Sequence, residues 1–250
     1  MKQDRPYALS IAGLDPSAGA GLLADIKTFE QLQVYGLGVT SAVTIQTGTR
    51  FHDLQWLPAT QILEQAKPLL EEYPVTFCKI GIMENLAAMH RVITQLLIWQ
   101  PAMKIILDPV LKASAGYTFH EKPSWTQWEA LLKHVYLLTP NYEEAVQLTG
   151  LSSGTAAASQ IFSCCHVLLK GGHHPEKPGV DTLYTDKVIE IHPGKINASP
   201  KHGSGCVLSA AITALLAKGE TLERACINGK DYTEKLLSSN TGLLGYHSII

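Results

Sequence analysis

The residues best suited to chemistry in this chain are the six of Lys201-His202-Gly203-Ser204-Gly205-Cys206, which run directly into the apolar stretch Val207-Leu208-Ser209-Ala210-Ala211-Ile212. Two glycines around a serine let the backbone turn tightly, so that successive N–H groups can converge on one anion with no Cβ in the way. A helix beginning there adds its unsatisfied N–H groups and the positive end of its dipole. Cys206 falls in the first turn, where the same field is expected to lower the thiol pKa and favour thiolate. A phosphate site, an oxyanion site and a base would then meet at one place. On these six residues alone a plainer reading stays open, in which the glycines only turn the chain before a buried helix with a core cysteine.

Such a loop needs a scaffold, and the remaining sequence supplies an alternating one. Tyr7 to Gly13 is a short apolar run closed by Gly13 and Asp15-Pro16-Ser17, which reads as a buried strand. Gly19-Ala20-Gly21 opens a helix to about Leu32, with Leu22, Leu23, Ile26, Phe29 and Leu32 at helical spacing, and Leu37 to Ile45 is a β-branched strand. Further helices are expected over Gln61 to Leu70, Leu86 to Trp99, Trp125 to His134 and Tyr142 to Thr149. Strands are expected over Val75 to Ile80, Lys104 to Leu107, Val135 to Thr139 and His166 to Leu169. Asp181 to Thr185 and Val188 to His192 read as a hairpin, and helices over Gly205 to Lys218 and Leu222 to Leu237 finish the chain, the last capped by Thr221. Ser152 to Ser159 reads only as a small-residue stretch.

Strand and helix alternation predicts a mainly parallel sheet with helices on both faces, in one domain over residues 1–250. Ligands of such sheets bind beyond the carboxyl ends of the strands. The positions to watch are therefore Asp15 and Gly19 to Gly21, Gln46, Gly81 to Met83, Asp108, Asn141 and Lys170 to His173, joined by the loop 201–206.

At 250 residues, 46% hydrophobic and 17% charged, the chain can bury a full core. A net charge of −2 and no run of Lys or Arg argue against nucleic acid or an acidic membrane as the main partner. The longest apolar helical run, Val207 to Ala217, is far short of the roughly 20 residues that cross a bilayer. Five irregularly spaced cysteines do not read as a disulfide framework, which points to a reducing, cytoplasmic setting.

Gly19-Ala20-Gly21-Leu22-Leu23-Ala24 formally matches the dinucleotide pattern, but its first glycine lies too far from Gly13, and the second strand ends in Gln46-Thr47 with no acid. The phosphate-loop pattern G-x-x-x-x-G-K-[ST] is absent. Cys164-Cys165-His166 has no C-x₂-C partner, and neighbours on a strand point to opposite faces, so these read as packed side chains and not as zinc ligands. Asp25, on the first helix, reads as an ordinary solvated carboxylate except for its place at the ligand edge.

Six spaced motifs, Ala12 to Phe29, Lys79-Ile80-Gly81, Asp108-Pro109-Val110, Thr139-Pro140-Asn141, Lys170-Gly171-Gly172-His173 and His202 to Cys206, together closely resemble the hydroxymethylpyrimidine/phosphomethylpyrimidine kinases of thiamine biosynthesis, in the ribokinase-like superfamily. The resemblance covers almost the whole chain. It implies a three-layer α/β sandwich that phosphorylates a pyrimidine hydroxymethyl group and then the monophosphate, using ATP and Mg²⁺. It further implies pyrimidine contacts from Ala20, Asp25, Gln46, Ile82 and Val110. Asp108, Asn141 and Glu144 are implied at the phosphates, with Asp108 and Glu144 toward magnesium. Lys170 is implied as the phosphate-side cation, Gly203, Ser204 and Gly205 as the anion hole with the Ser204 hydroxyl beside the phosphate, and Cys206 as the base or as a group that only positions the alcohol. A homodimer is also implied.

This chain departs from the family pattern at three of these places. Ile82 stands where Met is usual, with Met83 next; Thr47-Gly48 follows Gln46 where Asn-Thr is usual; Ser204 replaces Thr. A pyridoxal kinase of the same thiol-bearing subgroup is the nearest alternative, and Gln46 and Ile80 favour the pyrimidine. A ligand-binding relative without turnover is the third reading, against which the retained Asp108, Glu144, Lys170 and Cys206 speak.

Overall fold

A computed structural model describes residues 5–111 and 124–248. The first half of the chain runs β1 (Tyr7–Leu14), α1 (Gly21–Gln31), β2 (Tyr35–Gln46), β3 (Phe51–Trp56), α2 (Ala59–Glu72), β4 (Phe77–Ile80), α3 (Leu86–Trp99) and β5 (Lys104–Leu107). The second runs α4 (Trp125–Leu132), β6 (Leu137–Leu138), α5 (Tyr142–Thr149), α6 (Gly154–Phe162), β7 (His166–Leu169), β8 (Asp181–Tyr184), β9 (Val188–Ile191), α7 (Ser204–Ala217) and α8 (Leu222–Ser238).

The described strands form one nine-stranded sheet in the order β3-β2-β1-β4-β5-β6-β7-β8-β9. The six from β2 to β7 pair in parallel, and β3, β8 and β9 add antiparallel edges. The chain fills one side of β1 first and then crosses to β4 on the other. The carboxyl ends of β1 and β4 therefore flank the topological switch point, where the two following loops part and leave a crevice.

Helices cover both faces. On one face Ile62, Val92, Leu96, Trp128, Leu148 and Ile161 pack with Ile11, Ile80 and Leu107 of the strands. On the other, Ile212 and Leu215 of α7 meet Ile106 and Leu168, while Phe29 of α1 meets Ala210 and Ala8. Helix α7 is buried at every residue from Val207 to Leu216, the signature of a helix held on all sides. Its start is thereby fixed against the ends of the central strands.

Two elements escape sequence reading. Strand β3 carries His52, Asp53 and Gln55 and lies half exposed at the sheet edge, so it shows no apolar run. Helix α6 replaces the expected small-residue stretch: Ser153 caps it, and Ala157 and Ala158 bury completely because their small side chains allow close approach. The expected Thr221 cap of α8 and the 181–192 hairpin are present, and α5 gains a cap from Asn141 that was not expected. No helix among the described residues is long and apolar enough to cross a membrane.

Candidate active site

The loop from β1 to α1 is built around Asp15, which is 1% exposed. Its carboxylate accepts the N–H and hydroxyl of Ser17, the N–H of Ala20 at 2.9 Å, and a hydrogen bond with His202 Nε2 at 2.9 Å. Burial works against its charge, but the contacts from His202, Ser17 and Ala20 hold its pKa below the usual value. One carboxylate therefore ties the first loop to the loop before α7. Gly203 makes that contact possible: its φ is +78°, and a Cβ there would lie 2.1 Å from the Gly19 carbonyl oxygen. Gly203→Ala is expected to cost about 1–3 kcal/mol in backbone strain alone, read as a lower urea midpoint, together with a fall in kcat/KM.

Beyond Gly203, α7 begins at Ser204. Among the described residues no acceptor lies against the N–H groups of Ser204, Gly205 or Cys206, and unpaired N–H groups at a helix start are the kind that can receive an anion. A Cβ at Gly205 would stand 3.3 Å from Lys170 Nζ and 3.9 Å from Asp108 Oδ2, which puts these two charged groups directly at the helix start.

The thiol expectation needs correction. Burial pushes Cys206 up to about 11; Lys79 and a hydrogen bond from the Gly21 N–H pull it down, while Asp108 and Asp25 raise it further. The helix start does not produce a resting thiolate, because desolvation and two nearby carboxylates outweigh it.

Lys170, after β7, lies 2.8 Å from Asp108 Oδ1 and 3.8 Å from Glu144 Oε2. Asp108 follows β5 and is 1% exposed; Thr139 Oγ1 donates to it at 3.2 Å and Ser209 Oγ at 3.4 Å. Burial raises its pKa, yet Lys170 and Lys79 win and hold it below the usual value. Glu144 is pushed up to about 7 by burial, with Lys170 opposing and Asp108 adding to the rise. Asn141 and Glu144 form a capping box on α5: the Asn141 side chain accepts the Glu144 N–H at 2.8 Å and Glu144 Oε2 accepts the Asn141 N–H at 2.7 Å. Asn141 thus has its carbonyl oxygen committed to the helix.

Asp25 is fully buried and lies 2.7 Å from Lys79 Nζ, itself 0% exposed. Ser10 Oγ donates to the same oxygen at 2.6 Å, and Asp25 Oδ1 has no partner among the described residues. Burial, larger than the pull of Lys79, holds Asp25 above the usual carboxylate value. The reading of Asp25 as an ordinary solvated carboxylate is excluded. Lys79 sits near the end of β4, in register with Ser10 of β1; burial opposes its charge, but Asp25, Cys206 and Asp108 hold it above the usual value. Lys79 received no role from sequence, although a lysine inside Phe77-Cys78-Lys79-Ile80 is the signal that marks it. Ser10 and Ser209 were missed likewise, being polar residues whose partners are distant in the chain, and Asp15 and His202 were singled out by position without the contact that joins them.

The remaining expected substrate contacts are placed at the same sheet edge. Ala20 caps α1 and lies against Gly203; Gln46 ends β2 with its amide on Thr44 Oγ1 at 2.9 Å; the Val110 N–H turns back to Asp108 O at 2.8 Å. Ile82 packs over Gly13, whose Cβ would meet Ile82 Cδ1 at 2.4 Å, whereas Met83 is 0% exposed in the core. Met83 therefore does not stand in for the missing methionine. The segment after α8 closes over the first loop: Leu243 O accepts the His202 N–H at 2.9 Å, Asn240 O accepts from Lys201 at 2.6 Å, and a Cβ on Gly19 would meet Leu244 Cδ2 at 2.6 Å. Cys164 and Cys165 are free thiols, and no group of three metal-binding side chains occurs among the described residues.

The family described as phosphomethylpyrimidine kinase matches residues 15–249. A hydroxymethylpyrimidine/phosphomethylpyrimidine kinase of Aquifex aeolicus is 34% identical over 96% of this chain and 97% of its own length. Among solved structures, phosphomethylpyrimidine kinase from Clostridium difficile superposes with a TM-score of 0.78 at 28% identity, over 92% of this chain and 98% of that one. Pyridoxal kinase from Staphylococcus aureus, in complex with AMP-PCP and pyridoxal, gives a TM-score of 0.81 at 29% identity, over 95% and 89% of the two chains.

Proposed function

Because the chain belongs to the phosphomethylpyrimidine kinase family, we propose that it transfers the γ-phosphoryl group of ATP to 4-amino-5-hydroxymethyl-2-methylpyrimidine and then to the monophosphate, as a step of thiamine biosynthesis. One observation carries this reading: the unengaged N–H groups at the start of α7 meet the Lys170 ammonium beside Asp108, with Cys206 in the same turn. Phosphoryl transfer asks for positioning and for neutralising charge on the moving group, and that is what this cluster offers.

The Gly203 to Gly205 turn would receive the γ-phosphate oxygens, with the Ser204 hydroxyl beside them, and Lys170 would stand on their far side. Asp25, Gln46, Ala20, Ile82 and Val110 would line the pyrimidine, whose edge offers both donors and acceptors. Asp108 and Glu144, two carboxylates on either side of Lys170 at the ligand edge, suit Mg²⁺, which is held by one or two carboxylates plus substrate phosphates. Bound there, magnesium would neutralise phosphate charge. Five free cysteines fit a reducing cytoplasm. Exposed Val43 and Ile45 on β2 support a homodimer, which light scattering would report as about twice the 27.2 kDa chain mass.

Pyridoxal is the competing alcohol, favoured by the likeness to the pyridoxal-bound structure. Steady-state kcat/KM for the pyrimidine, its monophosphate and pyridoxal decides between them. The pyrimidine is expected to lead; a preference of about a hundredfold for pyridoxal would overturn the assignment.

A further inference from the structure

Lys230, on α8, belongs to none of the groups above, yet it is 7% exposed and sits in a dense polar network. Its ammonium donates to Gly179 O at 2.7 Å and to Asp181 Oδ2 at 3.0 Å, with Glu234 Oε1 at 3.7 Å one helical turn further on. The ammonium thus makes two hydrogen bonds and faces a second carboxylate at ion-pair distance. The two carboxylates are themselves committed at their other oxygens. Asp181 Oδ1 accepts the Gly171 N–H at 2.7 Å, and Glu234 Oε2 accepts the Gly194 N–H at 2.9 Å.

These contacts fall at one edge of the sheet. Gly171 directly follows Lys170 at the carboxyl end of β7. Strand β8 runs antiparallel to β7 and β9 antiparallel to β8, so Asp181 at the start of β8 and the chain leaving Ile191 of β9 return to that same edge. The loop 171–180 is pinched at its neck, since the Gly179 N–H donates to Gly171 O at 2.8 Å and a Cβ on Gly171 would strike the Val180 carbonyl oxygen at 2.0 Å. Lys230 grips both sides of that neck, one through Gly179 O and the other through Asp181. Through Glu234, which it faces, the same network also fixes Gly194 in the loop after β9.

We propose that Lys230 is a positioning residue for the nucleotide: by joining Asp181, Glu234 and Gly179 it holds the loops after β7 and β9 in the arrangement that sets the Lys170 ammonium at the ATP phosphates. The proposal rests on the reading of Lys170 as the phosphate-side cation. A clamp that served stability alone would need no such reach into two loops on the ligand edge, and well-packed apolar side chains would do as well. Here the network is satisfied at each of the contacts above, the condition under which buried polar groups specify one geometry. The pyrimidine groups Asp25, Gln46 and Ala20 lie on α1, β2 and the first loop, none of which this network touches, so its loss should act on one substrate only.

The test is a two-substrate kinetic comparison on the full chain. Lys230→Met is expected to raise KM for ATP at least about tenfold while KM for the hydroxymethylpyrimidine stays within about twofold, and Lys230→Arg, which can still span the acceptors, should recover most of the loss. Asp181→Asn keeps the oxygen that receives the Gly171 N–H but removes the charge facing Lys230; it should show the same selective rise and serves if Lys230→Met does not fold. Unchanged KM for ATP in a folded Lys230→Met or Asp181→Asn variant, or an equal rise for both substrates, overturns the proposal. Lys170→Met separates the two levels of the argument. If it raises KM for ATP and the Lys230 variants do not, the positioning role fails and the phosphate assignment stands; if Lys170→Met itself leaves KM for ATP unchanged, the phosphate assignment has failed.

Discussion

Replacing Cys206 by alanine is expected to lower kcat by about 10²–10⁴-fold, the usual contribution of a positioned proton acceptor, while ATP still binds. The N–H groups that would receive the phosphate belong to the backbone and survive the change, which is why binding and turnover should separate. The pH dependence carries the sharper test. With the thiol pushed up to about 11, thiolate at pH 7 amounts to roughly 10⁻⁴ of the protein. If thiolate takes the hydroxyl proton, kcat should climb nearly tenfold per pH unit from 7 toward 10, since raising the pH moves toward the base form. Cys206→Asp should flatten this rise by supplying a carboxylate in its place. A flat wild-type profile would mean that Cys206 positions the alcohol without accepting its proton, and unchanged kcat in Cys206→Ala would remove it from the reaction altogether.

Lys79→Met is expected to lower the free energy of unfolding by about 3–5 kcal/mol, the cost of stranding one member of a buried ion pair. Lys79 and Asp25 are both solvent-free at 2.7 Å, and Ser10 alone cannot offset the charge left on Asp25. The variant should answer by keeping Asp25 protonated. A carboxyl whose folded pKa is raised above its unfolded value loses stability as pH rises, so the deficit against wild type should be large at pH 8 and shrink as pH falls toward 5. Lys79→Met combined with Asp25→Asn leaves no lone charge and should recover most of the stability. Urea unfolding of the two variants at both pH values measures this. A single variant as stable as wild type at pH 8 would show that water reaches the pair and that the burial argument is wrong.

How far the site is legible in sequence differs from residue to residue. The 201–206 loop can be read locally because its geometry comes from the backbone: glycine at 203, a helix start at 204 and an apolar run that buries the helix are all properties of adjacent residues. Asn141 and Glu144 are similar, being three positions apart on one helix end. Lys79 and Asp25 are 54 positions apart, and nothing local to either shows that they meet. The same holds for Asp15 and His202, 187 positions apart.

Strand–helix alternation, the mainly parallel sheet and the glycine-hinged turn before α7 were determined by the sequence itself, because hydrophobic periodicity and glycine placement act over a few residues. Only the tertiary structure decided which charges face one another and in which protonation state. That explains why Cys206 reads as an activated thiol in sequence and emerges as a protonated one. A helix start acts through the first turn, whereas desolvation and the fields of Asp108 and Asp25 exist only after distant strands have been brought together.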